Sequence, residues 1–395
     1  MPDSDFLLIV GASTRAAAFS ALRAGLRPIC ADLFADGDLQ ARCAVRRIEP
    51  NDYPHGFLDL TEWNAPGPWL YTGGLENRPT LIDEMAQRRQ PLWGNSAAVL
   101  RRVRSPFTVR KVLCEAGLPC PRLWDGDGPP PPDGHWLMKP LAGAGGSGIR
   151  VWQGSVSASG TPRPVYWQEF IRGDSCAAIY LGDGQTARLL GVTRQLVGES
   201  WLHAAAFHYC GSVGPLALDP ARQQAFADIG AALGGGFGLR GLFGVDCILH
   251  DGVPYPVEVN PRYTASVEAI EYATGLCAQA LHRLAFDPAA PVPPSPIEPT
   301  AVVGKVILFA RAPLRFPAHG TWQSWATAFP SVEIMPTFAD IPQPGTVIEP
   351  GRPILTLFQR AATVDACLGQ LRRLAAALDR WLFMRYSTQH HRPLP

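Results

Sequence analysis

The chain has 395 residues, 47% of them hydrophobic and 17% charged, with a formal net charge of +1. This balance belongs to a folded chain with enough apolar material for two or three domains; it excludes a disordered chain and speaks against a protein that coats nucleic acid. No run of ~18 apolar residues occurs, so no membrane-spanning helix is expected.

The start, MPDSDFLLIV, is acidic with only a short apolar run, unlike a signal peptide. The nine cysteines are odd in number and contain no CxxC pair. They read as free thiols of a reducing, cytoplasmic protein rather than as a disulfide framework or a zinc site.

Taken in order, residues 6–10 form a continuous apolar run, as in a parallel strand buried on both faces. A turn at 11–15, a helix at 16–24 and a second strand at 27–31 ending at Asp32 complete a βαβ unit. An acid after the second strand suits dinucleotide binding, but Gly11 stands alone before Ala12, Ser13 and Thr14. The spaced glycines of that fingerprint are missing, so a Rossmann-like fold without nicotinamide or flavin is preferred. Residues 69–73 read as another strand. The following GGLEN (73–77) either presents Glu76 and Asn77 at the strand's carboxyl end, where open α/β sheets bind ligands, or starts a helix with polar caps. Helices are expected at 81–88 and from Ser105-Pro106 to about 115, the second closed by Gly117 and Pro119. The stretch 125–134, DGDGPPPPDG, is a loop.

Residues 137–152, LMKPLAGAGGSGIRVW, read as strand, glycine-rich turn and strand. Gly143, Gly145, Gly146 and Gly148 let the backbone come close to a ligand, successive N–H groups can cradle an anion, and Lys139 adds a point charge. On its own the stretch reads equally as a lid over phosphates or as an ordinary hairpin. A loop follows at 154–164, then a strand at 165–171. Apolar or alternating runs at 177–181, 187–196 and 204–209 predict an antiparallel sheet. A helix at 220–233 ends in three glycines, and a hairpin is expected at 244–259 with Asp251-Gly252 as its turn. Helices at 266–274 and 278–284, a proline-rich linker at 287–299, strands at 302–311 and 354–358, and an amphipathic helix at 364–383 complete the chain.

The hairpin carries the chemistry. Asp246 lies on its first strand, and Glu258 and Asn260 lie two apart on its second, so they share a face. Two carboxylates and an amide oxygen make a hard-oxygen site suited to magnesium, with manganese as an alternative. Arg262 follows and could meet developing negative charge.

Lys139-Pro140 with its glycine run, QEFIRGD at 168–174, GVD at 244–246 and EVNPR at 258–262 resemble, in order and spacing, the ATP-grasp superfamily. The resemblance implies a mixed α/β and α+β chain: a Rossmann-like pre-ATP-grasp domain at 1–103, an ATP-grasp domain at 104–286 divided into a lid (104–170) and a larger part (171–286), a small β-rich C-terminal unit at 300–386 and a flexible tail at 387–395. It implies that Lys139 contacts the ATP phosphates under the lid of Gly145, Gly146 and Gly148. Gln168, Glu169, Phe170 and Ile171 would form the adenine hinge, and Asp174 would bond the ribose. A further basic residue before the lid strand is expected at Arg104 or Lys111, with Arg104 preferred. Arg194 would face the γ-phosphate, Asp246, Glu258 and Asn260 would hold magnesium, and Arg262 would steady the acyl-phosphate transition state.

The implied activity joins a small-molecule carboxylate to an amine, with ATP and Mg2+ (Mn2+ as alternative), and without nucleic-acid or membrane partners; a homodimer is in keeping with the family. A cofactor-assembly ligase of the tyramine–glutamate type is the specific expectation. A bicarbonate-dependent carboxylating relative, a nucleotide-binding protein without turnover and a dinucleotide oxidoreductase resting on Gly11 and Asp32 are the alternatives. Ser13, Arg15, Glu76, Asn77 and residues 207–214 are candidate substrate contacts.

Overall fold

The computed structural model describes residues 5–62, 67–89, 91–154, 164–327 and 331–389. Most of the loop expected at 154–164 and the last six residues of the tail lie outside them.

The N-terminal unit is a four-stranded parallel sheet in the order β3-β2-β1-β4: β1 (Phe6–Gly11), β2 (Arg27–Asp32), β3 (Ala44–Arg47) and β4 (Trp69–Tyr71). The apolar runs of β1 and β2 are buried because both faces are covered. One face packs on α1 (Arg15–Arg23) and on residues of the central unit such as Ile179, Leu242 and Ile270; the other packs on Phe57 and Leu81. Helices α2 (Gly37–Gln40), α3 (Pro79–Arg88) and α4 (Ala97–Val103) fill out this part. Helix α4 carries no strong start signal beyond Ser96, and the sequence reading did not include it.

Helix α5 (Pro106–Glu115) begins where Ser105 and Pro106 place it, with the Ser105 hydroxyl accepting from the Thr108 amide. It packs on α4 and on the helix Pro220–Phe237, and the sheet expected as the lid follows it, three antiparallel strands in the order β6-β5-β7: β5 (Trp136–Pro140), β6 (Arg150–Val151) and β7 (Val165–Glu169). Four tryptophans, Trp124, Trp136, Trp152 and Trp167, make the small core behind this sheet.

The central sheet has eight strands in the order β12-β11-β8-β9-β10-β13-β17-β15. Its first five strands in chain order are β8 (Asp174–Asp183), β9 (Ala187–Val197), β10 (Tyr209–Gly214), β11 (Arg240–His250) and β12 (Val253–Asn260). Helix α6 (Pro220–Phe237) covers one face, and α7 (Val267–Thr274) and α8 (Ala278–Phe286) lie on the other. The remaining strands, β13 (Val302–Phe309), β15 (Phe338–Ala339) and β17 (Pro353–Ala361), belong to the C-terminal segment, which also holds the short pair β14 (Leu314–Arg315) and β16 (Val347–Ile348) and helices α9 (Gln323–Thr327) and α10 (Val364–Gln389). Expected as a unit of its own, this segment instead extends the central sheet, because β13 pairs with β10 over Gly211–Gly214.

Two local expectations differ. Helix α6 continues through Gly234, Gly235 and Gly236 to a left-handed cap at Gly238. The glycines are there for close packing: a Cβ on Gly235 would lie 2.6 Å from the Gln185 carbonyl oxygen, and one on Gly236 2.6 Å from Val112. The run 204–209 forms no strand before Tyr209, because His203 and Phe207 adopt positive φ and turn the chain.

Candidate active site

The lid sheet and the central sheet face each other across a cleft of about 680 Å³, lined by Lys139, Gly145 and Gly146 from the lid, by residues 168–173 of the connecting segment, and by Asp246, Glu258, Asn260 and Arg262 from the central sheet. The register of the β11–β12 hairpin places Asp246 directly opposite Glu258, with Asn260 two residues on. The turn is the expected Asp251-Gly252, both at positive φ. Asp246 accepts from Gln195 Nε2 at 2.8 Å and from Asn260 Nδ2 at 3.1 Å. Burial, and then the charge of Glu258, push its carboxyl up to about 6.

Crowded like charges of this kind are relieved by a cation. The donor set, two carboxylates and one amide oxygen, suits magnesium sharing its sphere with phosphate oxygens. Among the described residues no group of three or more His, Cys, Asp or Glu is placed to hold a metal by itself. Asp246, Glu258 and Asn260 could supply only part of a metal's shell, the remainder coming from substrate oxygens.

Lys139 is buried on β5. Its Nζ donates to Gln168 Oε1 at 3.1 Å and to the Val257 carbonyl at 3.3 Å, and neither partner is a carboxylate. Burial lowers its pKa, opposed by the charges of Glu258 and Asp246. A buried ammonium with no carboxylate bonded to it among the described residues is suited to an anionic ligand.

The glycine loop takes up the strained geometry that glycine permits. Gly145, Gly146 and Gly148 have φ of 61°, 82° and 80°. A Cβ on Gly146 would lie 1.8 Å from the Phe207 carbonyl oxygen, and the Tyr209 amide donates to the Gly145 carbonyl at 3.2 Å. The tip of the loop thus touches the 207–209 segment across the cleft.

Of the hinge residues, Gln168, Glu169, Phe170 and Ile171 all line the cleft. Partial burial opposes ionisation of Glu169, but hydrogen bonds from the Arg122 backbone and side chain outweigh it and hold the carboxyl below its usual range. Phe170 meets Phe207 edge to face at 6.3 Å between centroids.

Three expected contacts are placed elsewhere. Asp174 is exposed and does not line the cleft, whereas its neighbours Gly173 and Ser175 do. Arg194 lies opposite Cys176 on the face turned away, and strand alternation brings Gln195 into the cleft instead. Lys111 is on the outer side of α5, largely exposed and paired with Glu115 at 3.8 Å.

Arg104 does reach the site. It donates to Glu258 Oε1 at 2.8 Å, Asn77 Oδ1 at 3.1 Å and the Gly143 carbonyl at 3.3 Å. Arg262 donates to Glu76 Oε1 at 2.6 Å and to Asn260 Oδ1 at 3.3 Å. Glu76 is fully buried; desolvation raises its pKa, but Arg262 outweighs this and holds the carboxyl low.

The other candidates divide. Phe207 and Tyr209 line the cleft, and Ser212 joins the Ser266 hydroxyl at 2.8 Å and the Tyr209 hydroxyl at 2.9 Å behind it. Arg15 is buried away from the cleft between Glu268 at 2.7 Å and Asp340 at 2.6 Å. Ser13 is exposed, and its carbonyl accepts from the Thr72 hydroxyl. Asp32 accepts from the Thr14 amide and hydroxyl and from the Phe34 and Ala35 amides. It is spent on shaping its own loop.

Gln195 and Ser266 were missed because uncharged residues on a strand and at a helix start carry no signal above their surroundings. Residue alternation relative to Asp246 could have found Gln195 only if the strand pairing were known.

Residues 105–266 match the family model described as the ATP-grasp domain. An α/β chain with a glycine loop facing an acidic hairpin is what this fold and site define, and its residues 105–266 are an ATP-grasp domain. An uncharacterised protein of Methanocaldococcus jannaschii is 26% identical over 227 residues, 57% of this chain and 50% of that one. The chain thus spans about half the length of the curated relative that it matches.

Among solved structures, an L-amino acid ligase from Bacillus licheniformis superposes with a TM-score of 0.65 at 16% identity, over 95% of this chain and 98% of that one. The biotin carboxylase domain of 2-oxoglutarate carboxylase from Hydrogenobacter thermophilus, in complex with MgADP, ADP and bicarbonate, gives 0.68 at 15% identity, over 93% and 88%. At these identities the likeness concerns the fold, which is that of ATP-grasp enzymes over nearly the whole chain.

Proposed function

We propose that the chain is an ATP- and Mg2+-dependent ligase that joins a small-molecule carboxylate to an amine through an acyl phosphate. The observation that carries this reading is the meeting, in one cleft, of the buried Lys139 with the Asp246–Glu258 pair, Asn260 and Arg262. The substrate carboxylate attacks the γ-phosphorus of ATP, the bond to ADP breaks, and an acyl phosphate forms. The amine nitrogen then attacks the acyl carbon, loses a proton and displaces phosphate. Such a sequence needs positioning and charge neutralisation more than a protein nucleophile.

Each residue has a part within it. Lys139 binds phosphate oxygens, and the 143–148 loop excludes water above them. Magnesium held by Asp246, Glu258 and Asn260 would neutralise charge on the phosphates. Arg262 lies where negative charge builds on the transferring group, and residues 168–171 receive the base. Assembly of a cofactor from an amine and an amino-acid carboxylate remains the specific form of the proposal.

The test is ADP release from MgATP with pools of carboxylates and amines, with hydroxylamine in a parallel arm to trap an acyl phosphate without knowledge of the amine. ADP and hydroxamate that depend on a carboxylate and disappear in Lys139→Ala support the ligase. Stimulation by bicarbonate alone would shift the reading to a carboxylating enzyme. Nucleotide binding without ADP under every condition would leave a binding protein.

A further inference from the structure

Glu76 and Asn77 come from the N-terminal unit, on the turn after β4, yet both reach into the opposite side of the site. Glu76 is 1% exposed and its Oε1 takes an Arg262 Nη2 hydrogen at 2.6 Å. Asn77 Nδ2 donates to the Gly143 carbonyl at 2.9 Å, and its Oδ1 accepts from Arg104 Nε at 3.1 Å. Gly73 provides the seat: a Cβ there would lie 3.3 Å from Arg262 Cζ, so the guanidinium rests against bare backbone.

Each arginine also touches a residue of the acidic hairpin, Arg262 at Asn260 and Arg104 at Glu258. This proximity creates a hazard. Arg104 already pairs with Glu258 at 2.8 Å; an Arg262 guanidinium free to turn would add a second cation at Asp246 and Glu258 and occupy the face that a metal needs. A buried carboxylate on the far side holds it back.

We infer that Glu76 and Asn77 are positioning residues supplied by the N-terminal unit: Glu76 holds Arg262 off the acidic hairpin and aimed at the transferring group, and Asn77 ties Arg104 to the glycine loop. The first part rests on the ligase reading. The sequence GGLEN, whose residues Leu75–Asn77 form a single 3-10 turn ahead of α3, then acts as a strut between two units of the fold.

Glu76→Gln keeps the shape and removes the charge. It is expected to lower kcat by about 10–100-fold, to raise the Mg2+ concentration needed for half-maximal rate, and to leave KM for MgATP little changed. Glu76→Asp, which keeps the charge, is expected to recover part of the rate. In an Arg262→Gln background, Glu76→Gln should add almost nothing further, since the two substitutions break one interaction. A crystal structure of Glu76→Gln should show the Arg262 guanidinium swung from Gly73 toward Asp246 or Glu258.

Full kcat in Glu76→Gln, additive losses in the double variant, or an unmoved Arg262 would overturn the inference. Equal losses in the Asp and Gln variants accompanied by a lowered melting temperature would assign a structural role and overturn it as well. If Glu76→Gln does not fold, the Asp variant and the Arg262→Gln cycle made with it decide the matter. Absence of ADP release by the unmodified chain counts against the ligase reading alone, and the position of Arg262 in the variant crystal then decides this one.

Discussion

Lys139 shows how one side chain can be costly to the fold and still be retained. Its ammonium is buried, lowered in pKa by that burial, and bonded to an amide oxygen and a carbonyl. A phosphate is the natural complement. Lys139→Ala is expected to weaken MgATP binding by about 10–100-fold, the worth of a charge-assisted hydrogen bond, read by calorimetry. Unchanged affinity would remove Lys139 from the phosphate site. The arginines divide by geometry rather than by charge: Arg104 and Arg262 are held in the site, while Arg194, one residue from Gln195, is turned away by the pleat of β9.

At the scale of elements, the glycine loop and the β11–β12 hairpin act through backbone shape. Gly146 combines φ of 82° with a contact that no side chain would fit. Gly146→Val is expected to slow turnover more than it weakens nucleotide binding, because Lys139 stays in place while the loop cannot seat on the 207–209 segment. A comparison of kcat with the dissociation constant for ATP tests this; equal losses in both would tell against a closure role.

Helix α8 offers a second test. His282 is buried, its Nδ1 accepting from the Leu242 amide at 2.9 Å and its Nε2 facing the Trp93 carbonyl at 3.1 Å, and burial pulls its pKa down to about 4. The unfolded chain binds this proton with a pKa near ~6.5. Stability from the neutral ring is therefore full above that value and is lost as pH falls toward 4, by up to about 3 kcal/mol. Melting temperatures between pH 7 and 4.5 should drop more steeply in the unmodified protein than in His282→Asn.

For the whole molecule, the three segments of the chain are locked by one buried ion cluster. Arg15 of α1 meets Glu268 of α7 and Asp340 of the C-terminal segment, and Lys305 of β13 meets Glu268 at 2.7 Å. Arg15 and Lys305 outweigh the burial of Glu268 and hold its carboxyl far below the usual range. Arg15→Met would leave buried carboxylates short of a counter-ion and is expected to destabilise the fold by about 3–5 kcal/mol, measured as a lowered denaturation midpoint. A loss under ~1 kcal/mol would mean that the cluster relaxes or takes up protons at little cost.

The sequence by itself determined the elements whose signals are local: the βαβ start, the Ser105-Pro106 helix, the glycine lid and the Asp251-Gly252 hairpin. It also placed Glu258 and Asn260 on one face of that hairpin, because residues two apart on one strand must share a face. Only the tertiary structure decided which side of β9 faces the cleft, that Arg15 serves a buried ion cluster rather than a substrate, and that β13 extends the central sheet. These depend on pairing and packing between residues far apart in the chain, which no local periodicity encodes. The same reason kept the Glu76–Arg262 contact out of reach: its partners are separated by 186 residues, and each alone reads as an ordinary polar group near a turn.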